Sequence, residues 1–189
     1  FTVSAPACES RNFQLTDAST PSVGTVNGWN WYYNNGSPVT ANQSVITATF
    51  PVAGDHPVSL VVQNSKGCKS DTLTRPVRVN YLPVVDFGLP EVCLSDPFAA
   101  FTDSTRIGDS TENQFTYLWD FGDPNATPLN PNTSLLKDPQ HRYTTIGVYN
   151  VSLTVTSRDG CVQADTLPFT VNGSVPEAIF NVKAPNALC

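Results

Sequence analysis

The side chains that could do chemistry in this chain are a few carboxylates, cysteines and histidines. Asp120 and Asp123 flank a Phe-Gly pair, and together with Asp103 they could offer the oxygen ligands that calcium prefers. Their spacing is not that of a regular calcium loop, and Asp at a turn commonly accepts backbone N–H groups instead. We therefore expect no cofactor, and we keep calcium at these three residues as the alternative.

The two histidines, His56 and His141, give no sign of a catalytic site. They lie in different halves of the chain, and no nucleophile elbow, zinc-binding His-Glu pair or phosphate-binding glycine loop accompanies them. We expect His141 to be a strand residue whose ring hydrogen-bonds a neighbouring loop. The sequence therefore predicts no enzymatic activity.

Composition excludes several classes of partner. The 189 residues include 10 Lys and Arg against 16 Asp and Glu, a net charge of -6 without a basic cluster, so neither nucleic acid nor an anionic membrane surface is an expected partner. No apolar run approaches the roughly 20 residues that span a bilayer. The chain contains no Met, which leads us to expect a piece of a larger, processed protein. Five cysteines favour an oxidising, extracellular compartment.

An internal repeat organises the chain. Residues 50–68 align without a gap on residues 143–161, with seven identities in nineteen positions. A second element, running from Phe through Pro to Cys, occurs at 1–8, 87–93 and 180–189. The repeat predicts one module at 1–80, a second at 83–172, and the first strand of a truncated third at 175–189.

The elements between these signals read as short strands. Alternation places Tyr149, Val151, Leu153 and Val155 on one face, which predicts a core-facing strand. The same period points Trp119 inward in the second half, and Trp29, Trp31 and Tyr33 inward in the first, with Tyr32 left exposed. Strands, turns and no helical period indicate an all-β chain of two sandwiches.

One run of residues resembles a known family. The second module resembles the PKD (polycystic kidney disease) domain, an immunoglobulin-like β-sandwich of extracellular proteins, and the residues that carry the resemblance are Trp119, Asp120, Phe121, Gly122, Asp123, His141, Tyr143, Gly147 and Tyr149. The resemblance implies that Tyr149 anchors a corner in the next-to-last strand. The first module departs from it, since His56 replaces Tyr149 and residues 32–35 replace 120–123, so it is assigned through the repeat, with Trp31 as the counterpart of Trp119.

The cysteine positions look most like those of tandem PKD repeats in large secreted surface proteins of gliding bacteria, exported by the type IX system. Pairing within modules, Cys8 with Cys68 and Cys93 with Cys161, would leave only Cys189 over. In an immunoglobulin-like topology, however, those turns lie about 25 Å apart, whereas a disulfide needs Cα atoms within about 7 Å. Pairing of Cys8 with Cys161 between modules is favoured, with Cys68 and Cys93 either bonded to modules outside this chain or reduced, and both schemes stay open.

The resemblance to type IX cargo also implies O-glycan acceptors in an Asp-Ser/Thr-apolar pattern. The candidates that we take from this pattern are Thr72, Thr166, Ser104 and Ser110.

The function that this resemblance implies is mechanical. We expect a non-catalytic structural or adhesive repeat segment, forming a stiff stalk or filament of a cell-surface protein, whose partners are neighbouring repeats of the same chain. The alternative is an accessory region of a secreted hydrolase or protease that engages polysaccharide or protein. A third hypothesis is self-assembly through the strand expected at 175–188.

Overall fold

Residues 1–33, 37–39 and 42–173 are described by a computed structural model, in which short strands are joined by turns. The expected third module at 175–189, with its strand and Cys189, lies outside the described residues. Within them the only helical segment is a 3-10 turn at Glu112–Gln114, so the all-β prediction is confirmed. In the part of the chain that is described, no helix is long and apolar enough to cross a membrane.

The first half of the chain, which we call module 1, is a sandwich of two antiparallel sheets. One sheet has the order β1-β2-β5 and the other the order β4-β3-β6-β7. The strands are β1 (Thr2–Val3), β2 (Phe13–Thr16), β3 (Val26–Tyr33), β4 (Ser37–Val39), β5 (Val45–Ala48), β6 (Gly54–Asn64) and β7 (Leu73–Val79).

The second half, which we call module 2, has a five-stranded sheet of order β13-β12-β15-β16-β9 and two short ladders, β8 with β11 and β10 with β14. Its strands are β8 (Phe87–Gly88), β9 (Val92–Cys93), β10 (Ala99–Ala100), β11 (Thr102–Asp103), β12 (Thr116–Asp120), β13 (Thr133–Ser134), β14 (Gln140–His141), β15 (Gly147–Thr156) and β16 (Val162–Asn172).

The alternation in the sequence sets which face of β15 is buried. Tyr149, Val151, Leu153 and Val155 all face the core, while the residues between them do not. The β15–β16 ladder runs in unbroken register from Gly147 opposite Val171 to Thr156 opposite Val162. Because side chains alternate at every residue, a slip of one position would turn this whole apolar row toward solvent.

Each module has its own hydrophobic core, and the two cores share no residue. Trp31 and Trp119 are both fully buried, as the sequence predicts. Each indole meets a phenylalanine from the start of its module edge to face. The ring centroid of Phe1 lies 5.4 Å from that of Trp31, and the ring centroid of Phe87 lies 5.1 Å from that of Trp119. Tyr32 was expected to be exposed but is half-buried.

Candidate functional site

The turn after β12 is held by its own acidic side chains. Asp120 Oδ1 accepts hydrogen bonds from Gly122 N at 2.9 Å and from Asn132 Nδ2 at 2.7 Å. Asp123 Oδ1 accepts from Asn125 N at 2.9 Å. These bonds satisfy backbone groups that the turn would otherwise leave unpaired, which confirms the turn-ordering role that the sequence suggests for both carboxylates.

A buried hydrogen bond between two side chains connects the same turn to β14. His141 Nε2 lies 3.0 Å from Asp123 Oδ2, and their side chains are only 1% and 0% exposed. The His141 ring stacks on Phe121 with centroids 4.4 Å apart, and the Tyr143 hydroxyl donates to the Phe121 carbonyl oxygen at 2.8 Å. His141 is therefore a strand residue bound to a neighbouring loop, as expected.

Tyr149 forms the corner that the family resemblance implies. Its hydroxyl donates to the Thr145 carbonyl oxygen, four residues upstream, at 2.8 Å. In module 1 the aligned residue, His56, places Nε2 at 2.7 Å from the Val52 carbonyl oxygen, again four residues upstream. The substitution thus keeps the corner bond with a different ring.

The tryptophans make the same contact in both modules. Trp31 Nε1 donates to the Gln43 carbonyl oxygen at 3.0 Å, and Trp119 Nε1 donates to the Leu136 carbonyl oxygen at 3.0 Å. Gln43 and Leu136 are equivalent in the frame of the internal repeat. A buried indole N–H needs a partner, and both modules supply it from the same place.

The three candidate calcium ligands are not brought together. Asp103 lies in β11, where its Oδ1 accepts from Thr105 N at 3.0 Å and its own N–H donates to Asp138. The carboxylates of Asp120 and Asp123 already accept hydrogen bonds within the turn, and Asp123 also bonds His141. Among the described residues, no three His, Cys, Asp or Glu side chains form a group able to hold a metal ion.

Burial shifts the acidity of two phenols in module 2. Burial, reinforced by the nearby carboxylate of Asp123, raises the pKa of Tyr143. Burial and then Asp103 likewise raise the pKa of Tyr117. Both shifts oppose the charged form, so each phenol stays protonated and able to donate a hydrogen bond at neutral pH.

The junction between the modules is covalent. Cys8, beside the last strand of module 1, is bonded to Cys161, in the turn between β15 and β16 of module 2, with Cα atoms 5.9 Å apart. The favoured inter-module pairing is confirmed, and the within-module alternative of Cys8 with Cys68 and Cys93 with Cys161 is wrong. Its physical reason is distance: each module carries its two cysteines at opposite ends of the sandwich.

Non-covalent contacts fix the segment that joins the modules. Glu9 accepts from Leu82 N with one carboxylate oxygen and from Ala53 N with the other, each at 3.0 Å. Tyr81 packs against the core of module 2 and lies so close to Gly108 that a Cβ there would stand 2.5 Å from the ring. The connecting segment is therefore packed on both sides rather than being a free hinge.

The remaining sequence-predicted site residues lie at the surface or lack a partner. Within the described residues Cys68 and Cys93 form no disulfide; Cys68 is exposed and Cys93 half-buried. The four candidate glycan acceptors are exposed: Thr72, Ser104, Ser110 and Thr166. Their modification stays a prediction.

Sequence reasoning missed Glu9 and Asn132. Asn132 bridges the motif turn, since its side chain donates to Asp120 and accepts from Asp123 N at 2.7 Å. Neither residue belongs to a repeated pattern, so only the folded arrangement shows its role.

Comparison with known proteins places these features in a family. A family model for the PKD domain matches twice, at residues 2–79 and 80–172. The PKD1 domain of Vibrio anguillarum Epp is 29% identical, over 50% of this chain and 99% of that chain, with a TM-score of 0.41. The PKD1 domain of the Vibrio cholerae metalloprotease PrtV is 29% identical, over 48% and 98%, with a TM-score of 0.39.

Fibronectin(III)-like modules of Clostridium thermocellum CbhA are 15% identical, over 96% of this chain and 99% of that chain, with a TM-score of 0.42. Comparison with curated proteins gives no significant match. Because the PKD model covers almost the whole chain in two consecutive matches, the chain belongs to the PKD domain family, with two domains in tandem.

Proposed function

We propose that this chain is a non-catalytic structural segment of an extracellular cell-surface protein, in which PKD modules are stapled end to end into a stiff stalk or filament. The observation that carries the proposal is the Cys8–Cys161 bond, which joins one end of module 1 to the opposite end of module 2. Disulfides persist in oxidising compartments, which fits an extracellular protein.

The staple changes the path that a pulling force takes. Cys8 and Cys161 are separated by 153 positions in the sequence. A force applied at the two ends of the chain passes from Cys8 through the sulfur atoms to Cys161, and the residues between them are bypassed. At about 3.3–3.6 Å per extended residue, the bond withholds roughly 500 Å of chain from extension.

The disulfide limits how far the chain can extend, and packing at the junction is expected to resist bending as well. The bond from Leu82 N to Glu9 ties the connecting segment to module 1, and Ala53 N holds the other oxygen of the same carboxylate within that module. Tyr81 in the module 2 core, and the Val84–Arg106 bridge, tie it to module 2. Arg11 also bonds Gln163 across the junction. With no slack segment between them, the two modules are expected to move as one body.

The accessory-region alternative needs a cleft for its ligand, and the described residues form two of comparable size. A cleft of about 480 Å³ lies at the junction, between Glu9, Pro83 and Gln163. Among the described residues its lining is largely aliphatic and includes no aromatic side chain. A second cleft, of about 570 Å³, lies in module 2 and is lined by Phe115 and Tyr117 beside Lys137, the kind of lining that ligand pockets usually have. We propose the mechanical role because the Cys8–Cys161 bond supports it directly, whereas neither cleft identifies a ligand.

Single-molecule force spectroscopy tests the proposal. Handles are attached at the two ends of the 189-residue chain, and extension is recorded under oxidising conditions. We expect no step from the stapled region in the native chain. In the Cys8→Ser/Cys161→Ser variant, we expect module unfolding steps that add up to roughly 500 Å, from the extended length per residue.

A matched control distinguishes the effect of losing the Cys8–Cys161 bond from the effect of replacing any cysteine. Cys68→Ser removes an exposed cysteine but leaves the Cys8–Cys161 bond intact, so it should extend as the native chain does. If the oxidised native chain releases the full length under load, the proposed function is wrong.

A further inference from the structure

We infer that Cys68 and Cys93 are the two complementary halves of a second junction of the same kind, through which this segment is stapled to further PKD modules at both ends. The inference rests on the proposed function and identifies the partner that the two unpaired thiols take. Each of these cysteines repeats the local structure of a cysteine that is bonded in the observed junction.

Cys68 repeats the surroundings of Cys161. In one turn Asn64 N donates to the Cys68 carbonyl oxygen at 2.9 Å, and in the other Ser157 N donates to the Cys161 carbonyl oxygen at 2.9 Å. The side chains of Asn64 and Ser157 accept from the cysteine N–H groups at 3.0 and 3.1 Å. The glycine before each cysteine has a positive φ, 84° for Gly67 and 81° for Gly160.

Cys93 repeats the surroundings of Cys8. Cys8 pairs in parallel with Asn80 at the end of module 1, and Cys93 pairs in parallel with Asn172 at the end of module 2. The residue after each cysteine donates its N–H to that asparagine's carbonyl oxygen, Glu9 to Asn80 and Leu94 to Asn172, both at 3.0 Å. The backbone frame of a staple is thus present at both outer ends.

Among the described residues, no second module covers the two outer ends as the modules cover each other at the Cys8–Cys161 junction. Cys8 and Cys161 are only 4% and 0% exposed, whereas Cys68 is exposed and Cys93 half-buried. Beside Cys93, the apolar side chain of Phe98 faces solvent and is 44% exposed. Burying such a surface against another module would be favourable.

Charge complementarity indicates which end meets which. Within three residues of Cys68 lie the exposed Lys66, Lys69 and Asp71, a net charge of +1, whereas Glu91 and Asp96 give a net charge of -2 around Cys93. Opposite charges around the two thiols favour pairing of unlike ends and disfavour pairing of like ends. The occupant that this arrangement fits is another PKD module presenting the complementary cysteine, and a second copy of this chain presents both.

The bond forms by thiol–disulfide exchange with a low-molecular-weight disulfide as oxidant. The Cys68 thiolate attacks that disulfide, which gives a mixed disulfide and releases one thiol of the oxidant. The Cys93 thiolate of the neighbouring module then attacks the Cys68 sulfur and releases the second thiol. The two cysteines lose two electrons and two protons, and the oxidant's S–S bond is reduced to two thiols.

Mixing two single-cysteine partners tests the inference. Both variants carry Cys189→Ser; one also carries Cys68→Ser and presents only Cys93, and the other carries Cys93→Ser and presents only Cys68. Each is incubated alone and in an equal mixture in a glutathione redox buffer, and disulfide-linked dimer is measured on non-reducing gels and by peptide mapping. We expect about tenfold more dimer in the mixture than in either variant alone, which corresponds to about 1.4 kcal/mol.

High salt should reduce this excess, because it screens the charges around the thiols. Equal amounts of dimer in all three samples, or linkage of Cys68 to Cys68, would overturn the inference. The same peptide digest reports the Cys8–Cys161 bond: its absence would overturn the staple itself, whereas its presence without Cys68–Cys93 linkage would overturn only the second junction.

Discussion

His56 and Tyr149 occupy equivalent positions of the internal repeat, and each ring donates to the backbone carbonyl four residues upstream. Their neighbours are equivalent too, since the His56 ring lies 4.4 Å from the Phe50 ring and the Tyr149 ring 4.2 Å from that of Tyr143. His56 departs from the family pattern in the sequence but keeps its physical content, which is a ring packed against an aromatic neighbour and carrying one hydrogen-bond donor.

Substitutions of His56 should distinguish the contribution of its ring packing to stability from that of its hydrogen bond. His56→Phe keeps a flat ring against Phe50 but loses the bond to Val52, so we expect a loss of about 1 kcal/mol in the free energy of unfolding. His56→Tyr restores a donor and should return most of that stability. Urea unfolding of the three proteins measures the effect; equal midpoints for His56→Phe and the native chain would contradict the shared corner.

Tyr143 should make module 2 sensitive to alkaline pH. Burial, then Asp123, raises the pKa of Tyr143 in the folded chain, while an unfolded phenol titrates near about pH 10. The stabilisation is therefore complete below about pH 10, and it is lost as pH rises from there toward the folded pKa. Module 1 lacks this dependence at the equivalent position, where Phe50 cannot titrate.

Tyr143→Phe tests that sign. The variant should lose about 1 kcal/mol at neutral pH, because the bond to the Phe121 carbonyl oxygen disappears. Above about pH 10 its stability should fall less steeply than that of the native chain. Denaturant unfolding across the alkaline range provides the measurement, and parallel pH profiles for the two proteins would count against a role for this phenol.

At the scale of elements, the motif turn after β12 depends on a backbone conformation that only glycine supplies without strain. Gly122 has a φ of 64°, and a Cβ there would lie 2.5 Å from the Asn150 carbonyl oxygen in β15. The turn thus approaches the neighbouring strand at a point where no side chain fits.

Gly122→Ala should accordingly lower the free energy of unfolding by more than a Gly→Ala substitution at a position where only the positive φ is unfavourable. Gly67→Ala is the matched control, since Gly67 has a φ of 84° but its nearest neighbouring atom would be 4.0 Å from the new Cβ. We expect about 1 kcal/mol of destabilisation for Gly67→Ala and about 2–4 kcal/mol for Gly122→Ala. Equal losses, measured by amide exchange in the affected module, would mean that the close approach is unimportant.

The strands and their core faces could be predicted from the sequence because apolar residues alternate with polar ones at the same two-residue period at which strand side chains point toward the core. Trp31, Trp119 and the β15 row follow from that pattern alone. The link from Glu9 to Leu82 and Ala53 could not be predicted, since it joins backbone groups far apart in the sequence to a side chain with no periodic role. Tyr32 was misplaced for a related reason: strand alternation says which face a ring lies on, but not what covers that face.

At the scale of the whole molecule, the repeat and the cysteine positions together determine the order of the ends. Each module carries one cysteine beside its last strand and one in the turn before that strand. The 11 residues of β16 place Cys161 and Cys93 roughly 35 Å apart at about 3.3 Å per residue. A bond within one module is thereby excluded, and a bond between opposite ends of successive modules becomes the natural one.

The sequence could favour this connectivity but not decide it. Pairing within modules would have left only one cysteine unpaired, and the distance argument against that pairing depended on an assumed fold. The structure adds the contacts that make the junction specific. The most important are the packing of the Tyr81 ring against Gly108 and the hydrogen bond from Leu82 N to the Glu9 carboxylate. We therefore expect stiffness to be a property of the pair of modules and not of either module alone.

Residual dipolar couplings from both modules in one aligned sample test the central claim, that the Cys8–Cys161 bond fixes the two modules as a single stiff unit. In the oxidised native chain we expect one common alignment tensor to fit both modules. In the Cys8→Ser/Cys161→Ser variant only the packing at the connecting segment still joins the modules, and we expect that packing to be too weak alone to keep the two tensors equal in magnitude. Two distinct tensors in the oxidised native chain would contradict the account.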